Sequence, residues 1–164
     1  MMRTPAEQKY LETSIATASK EDLIVKIYDA LILSSQQALE KLQYERNDIE
    51  GIHKALLRAQ RAICLLMGSL NMEIGGDLAK NLFRVYEYWH HELVMANMQK
   101  DATRVERLLP DFKDYRVTWQ KAVALFKAEK RGTPVPSIVP STTTGSSGKT
   151  GSVAPAATSF AAVG

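Results

Sequence analysis

From about Lys20 to Glu129, apolar residues recur at steps of three and four positions, the period of an α-helix with one buried face. Leu23, Ile27, Leu31, Ser34, Ala38 and Leu42 form the first such row, and the spacing predicts a helix from Lys20 to about Tyr44. Ser19 stands where an N-cap belongs, and Glu21 and Asp22 fall in the first turn, where carboxylates favour the positive end of the helix dipole. A second row, Ile24, Tyr28, Ile32, Ser35 and Leu39, lies one position round the axis. Together the rows exceed the apolar arc of about 100° that packing on one neighbour requires, so something further is expected against this helix.

Three more helices follow. The second spans about Asp48 to Leu70, with Ile49, Ile52, Leu56, Ala59, Ile63, Leu66 and Leu70 inward, and Leu57, Cys64 and Leu65 widening that face. The third is predicted to begin near Asp77, with Leu78, Leu82, Val85, Trp89, Leu93 and Ala96 as its main row and Phe83 and Tyr86 beside it. The fourth runs from about Ala102 to Glu129 through Val105, Leu108, Phe112, Tyr115, Trp119, Val123 and Phe126. Pro110 lacks an N–H and its ring crowds the carbonyl of Glu106, so a kink is expected there, with a true break as the alternative.

No strand-like alternation competes with this pattern. Linkers are expected around Asn47, from Asn71 to Gly76 and from Asn97 to Asp101, and short linkers make neighbouring helices antiparallel. The predicted fold is all-α: an antiparallel up-and-down four-helix bundle over residues 20–131. Residues 1–19, through Leu11, Ile15 and nearby alanines, are expected to cap the bundle. From Gly132 onward Gly, Pro, Ser, Thr and Ala dominate and Lys149 is the only charge, so 132–164 reads as a disordered, low-complexity tail.

Composition narrows the function. The 164 residues are 45% hydrophobic and 24% charged, ordinary for a soluble domain. The net charge of +3 comes from cations interspersed with carboxylates, so nucleic-acid binding is not expected. Cys64 is the single cysteine, which excludes an internal disulfide and fits a reducing compartment. No stretch is long and apolar enough to insert in a membrane and the N-terminus lacks a signal-peptide core, so a cytoplasmic location is expected.

The candidate chemistry resolves into structural roles. Gly75 and Gly76 lack both the spacing and the preceding strand of a phosphate loop, and read as a turn ending one helix before Asp77 starts the next. Adjacent His90 and His91 point about 100° apart on a helix and cannot chelate one metal together. Glu87 with His91 has the right spacing, and Glu87 with His90 forms a Glu-x-x-His pair, but no second pair exists. His53 stands alone, and Cys64 among Ile63, Leu65 and Leu66 reads as a packed, inert thiol. Tyr28, Tyr86, Tyr88 and Trp89 read mainly as core. Lys54, Arg58 and Arg61 share one helix side, either as a solvated face or as a contact for an acidic partner. No catalytic set, cofactor or metal site is expected, and the protein is not read as an enzyme. The surplus apolar arc suggests a groove for an amphipathic segment of another chain.

Several separated blocks carry a family resemblance. Tyr10-Leu11, Ile15 to Ser19 and Leu23 to Asp29 (LIVKIYD) open it; Arg58-Ala59-Gln60, Ile63, Leu66, Ser69 to Ala79 and Asn81-Leu82 form its centre; Tyr86, Tyr88, Ala96-Asn97, Asp101, Arg116 and Trp119 continue it. In this order the chain resembles the flagellar secretion chaperones of the FliS type over about residues 8–127. The family commonly has proline where Lys20 stands and glycine where Ala30 stands, and both replacements are compatible with helix.

The resemblance implies a bundle that binds the disordered C-terminal segment of flagellin in hydrophobic grooves, prevents premature polymerisation and assists delivery to the flagellar export apparatus. Partner-contacting residues expected from the second rows and matched blocks are Tyr10, Leu11, Ile15, Ile24, Tyr28, Leu57, Gln60, Cys64, Leu82 and Tyr86. The N-terminal residues among them are expected to cover the groove until flagellin binds. The alternatives are a regulatory adaptor of another flagellar protein using the same groove, or a small-molecule or metal-binding bundle.

Overall fold

The computed structural model describes residues 19–132 together with positions 4–6 and 9. The expectations for Tyr10, Leu11, Ile15 and the tail fall outside the described residues.

Four helices follow in order: α1 Lys20–Tyr44, α2 Ile49–Ser69, α3 Met72–Gln99 and α4 Ala102–Lys130. Each starts on a side chain able to satisfy the free N–H groups of a first turn. The Ser19 hydroxyl accepts from the Asp22 N–H at 3.3 Å, Asp48 from Gly51 at 2.9 Å, and Asp101 from Thr103 at 2.9 Å. The Asn71 side-chain oxygen accepts from both Glu73 and Ile74 at 3.1 Å.

The helices close into a ring in which α1 packs on α2 and α4, and α3 packs on α2 and α4. Paired side chains show the antiparallel register. Along α1 and α4, Asp29 meets Arg116 at 2.5 Å, Asp22 meets Lys127 at 2.5 Å and Glu21 meets Lys130 at 3.3 Å. Across α3 and α4, Glu92 meets Arg104 at 2.8 Å. The expected antiparallel four-helix bundle is therefore the observed one.

Its centre is aromatic. The Trp89 ring stands edge-on to Phe112 and Tyr115, each with centroids 4.9 Å away, and is tilted against Tyr86 at 5.6 Å. Such edge-to-face contacts add to the stabilisation from burial alone. Ile24, Ile27, Leu31, Ile52, Leu56, Ile63, Leu66, Leu93 and Val105 fill the space around them.

Three local expectations are refined. A short helical turn capped by Asn71 opens α3 at Met72, so the expected Asn71–Gly76 link is partly helical; Gly76 is non-helical, and the long stretch of α3 starts at Asp77, as expected. Gly75 sits in the resulting helical turn, donating to the Asn71 carbonyl at 2.8 Å, and α2 has already ended at Leu70 in extended backbone without a glycine. Of the pair only Gly76 has a positive φ, at φ 51° and ψ −132°; it separates the short turn from the long helix that Asp77 starts, while α2 itself has ended earlier, at Leu70. Next, α3 continues to Gln99 and the turn is made by Lys100 in the left-handed region, shortening the expected Asn97–Asp101 link. Finally, the alternative of a true break at Pro110 is the one set aside: α4 runs through it as a single helix. Pro110 and Glu106 are both exposed, so the carbonyl that loses its N–H partner can turn to water.

Candidate functional site

The sequence-derived partner residues separate by depth. Ile24, Tyr28 and Tyr86 lie in the core, and the two tyrosine hydroxyls meet at 3.0 Å with neither side chain more than 1% exposed. Burial disfavours the tyrosinate, pushing the Tyr86 hydroxyl up to about 12 and Tyr28 upward as well, so both stay neutral hydrogen-bonding groups. In this arrangement they support Trp89 from below and do not line an open groove.

Leu57, Gln60 and Cys64 share one flank of α2, facing α3. Leu57 and Gln60 are half-buried, and the Gln60 amide donates to the Leu93 carbonyl of α3 at 3.4 Å. One turn earlier on the same flank, the Asn97 amide meets His53 Nδ1 at 2.9 Å near the surface, so polar bonds stitch this seam between its apolar residues. Cys64 is exposed, which corrects its reading as a packed thiol: its position on the flank, not its apolar sequence neighbours, sets its environment. Leu82 is half-buried against the core near the start of α3.

On the other side of α3 the seam with α4 is the sparsest helix contact in the ring. It opens as a depression of about 430 Å³ lined by Val85, Tyr88, Trp89 and Tyr115, with Arg84 and Asp111 at its edges. Tyr88 is 57% exposed, contrary to its reading as core. Val85 with Tyr88 and Asp111 with Tyr115 have ordinary helical spacing, so only the separation of α3 from α4 could have marked them.

What the two seams offer is apolar and aromatic contact edged by single polar groups. This is the lining that accepts helical or extended peptide segments. Among the described residues no three His, Cys, Asp or Glu side chains converge as a metal set. No helix among them is long and apolar enough to cross a membrane.

Comparison with known proteins agrees with the order of sequence blocks. The chain is 25% identical over 123 residues to the flagellar secretion chaperone FliS of Bacillus subtilis, an alignment covering 75% of this chain and 90% of that protein. It is 30% identical over 102 residues to the flagellar secretion chaperone FliS of Salmonella typhimurium, covering 62% of this chain and 74% of that one. The Escherichia coli FliS chaperone matches at 25% over 114 residues, covering 69% and 82%. Residues 2–125 match the flagellar protein FliS family, and this chain belongs to it.

Proposed function

We propose that this protein is a cytoplasmic export chaperone that holds the disordered C-terminal segment of flagellin, keeping it from polymerising before secretion. Membership of a family of flagellar secretion chaperones carries the reading, and the open apolar seams flanking α3 support it. Leu57, Cys64 and Leu82 contribute apolar surface, Gln60 a polar contact, and Val85, Tyr88 and Tyr115 the aromatic seam. Tyr28 and Tyr86 keep Trp89 in place beneath it, and Ile24 belongs to the same core. Tyr10, Leu11 and Ile15, which lie outside the described residues, are proposed as further contacts for the client.

Ordering a disordered segment costs about 2–5 kcal/mol, so a net affinity requires a contact on the order of 1,000–3,000 Å². The client therefore lies along both sides of α3 as short helical pieces.

Calorimetry with flagellin from the same organism tests this, using the intact protein and a form lacking its C-terminal segment. Intact flagellin is expected to bind and the truncated form to fail; equal binding of both, or of neither, would sink the proposal. Tyr88→Ala should weaken the complex about tenfold, roughly 1.4 kcal/mol, while leaving the far-ultraviolet helical signal unchanged, because Tyr88 is exposed in the free chain.

A further inference from the structure

The outer face of α2 carries a straight stripe at steps of four and three residues: Lys54, Arg58, Arg61, Leu65 and Gly68. All five are exposed, Leu65 at 60%. The stripe is separate from the flank formed by Leu57, Gln60 and Cys64, which lies toward α3.

Its charges are incompletely matched. Lys54 pairs with Glu50 one turn back, but Arg58 donates to the neutral Gln37 amide at 3.1 Å, and Arg61 has no carboxylate partner among the described residues. Two guanidinium groups are thus left for an external carboxylate, in the planar geometry that suits it best.

Gly68 adds an independent observation. A glycine inside a helix costs about 1 kcal/mol relative to alanine. Here no neighbour demands it: a Cβ would meet nothing within 4 Å. Nor does it cap the helix, because its φ is not positive and Leu70 ends α2 in extended backbone. A bare backbone beside a protruding leucine suits the close approach of another helix. Met72 and Ile74, 38% and 55% exposed, follow just past the α2–α3 turn.

We propose that this stripe is a second docking surface, for an acidic amphipathic helix of a protein other than the flagellin client. Carboxylates on successive turns of that helix meet Arg61, Arg58 and Lys54, an apolar residue covers Leu65, and its backbone comes close at Gly68. The charge pattern selects an acidic partner; Leu65 and Gly68 select a helix over a polyanion.

The test uses the full chain and two lactam-stapled helical peptides. One has glutamates on three successive turns followed by two leucines, and its twin has lysines in place of the glutamates. In an isotope-labelled titration the acidic peptide is expected to shift amide signals from Lys54 to Ile74, to bind at least tenfold tighter than its twin, and to weaken as salt is raised. The double variant R58Q/R61Q should lose tenfold or more of this binding while retaining flagellin binding. Gly68→Ala should raise the melting temperature yet weaken the peptide. Shifts confined to the α3–α4 seam, equal binding of the two peptides, or unchanged binding by both variants would overturn the proposal. So would equally tight binding of a single-stranded oligonucleotide, loss of flagellin binding in R58Q/R61Q, or a wild-type dimer that R58Q/R61Q dissolves.

Discussion

The Tyr28 and Tyr86 hydroxyls form a buried polar pair in a mainly apolar core, and their 3.0 Å contact spans two helices that do not neighbour one another in the ring. Replacing either by phenylalanine strips the other of this bond. Each single variant should lose about 0.5–1.5 kcal/mol, and the double variant less than the sum, when measured by urea unfolding in a double-mutant cycle. The pair also sets the alkaline limit. Tyr86 ordinarily titrates at 10.0 and is held at about 12 when folded, so its stabilising contribution is complete below pH 10 and disappears as the pH climbs through 12. The double phenylalanine variant should flatten that part of the stability profile. Ser35 behaves in the opposite sense. Its hydroxyl is fully buried in α1 without a hydrogen-bond partner, so Ser35→Ala should leave the midpoint unchanged or raise it, by up to about 1 kcal/mol.

Helix ends and seams raise a different set of questions. The two central glycines, adjacent in sequence, differ sharply in backbone. Gly75 lies in a helical turn, whereas Gly76 adopts φ 51° and ψ −132°, a region costly for any residue with a Cβ. Gly76→Ala should therefore destabilise the chain by about 1–3 kcal/mol in thermal unfolding, while Gly75→Ala should be neutral or mildly stabilising. At the α1–α4 seam, the Lys127 ammonium and then the Ser19 hydroxyl hold the Asp22 carboxyl below its ordinary value of 3.8. A depressed carboxyl stabilises the fold at pH values above the unfolded pKa and loses that contribution as the pH falls through the folded one. Lys127→Met should then shrink the loss of stability seen on acidification below about pH 4, read as the difference in melting temperature between pH 6 and pH 3.

For the molecule as a whole, the four helices share one core, with Trp89 and Trp119 both inside it. Tryptophan fluorescence and helical circular dichroism should consequently report the same unfolding midpoint. Two separated transitions would show that the segment of α3 before Gly76, or the open α3–α4 seam, melts on its own.

How much of this was legible in the sequence depends on which contacts a residue's neighbours control. Helix α1 matched its expected bounds because Ser19, Glu21 and Asp22 encode its start within a few residues, and the alternate rows of α1 both went inward because two helices flank it. The short turn from Met72 to Gly75 is hidden by the glycine pair, although Asn71 as its cap is the available cue, whereas the start of the long helix at Asp77 is legible. Cys64 and Tyr88 were misjudged for a common reason: their sequence surroundings are apolar, but exposure depends on how far apart the neighbouring helices stand.

Period, caps and block order are local or linear properties, and they determined by themselves that the chain is helical, where most helices begin and which family it resembles. Depth is not linear. Whether Tyr28 or Tyr88 is core, whether Gly76 ends a helix or bends one, and whether Arg58 has an ionic partner follow from distances between helices, which only packing of the four around Trp89 decides.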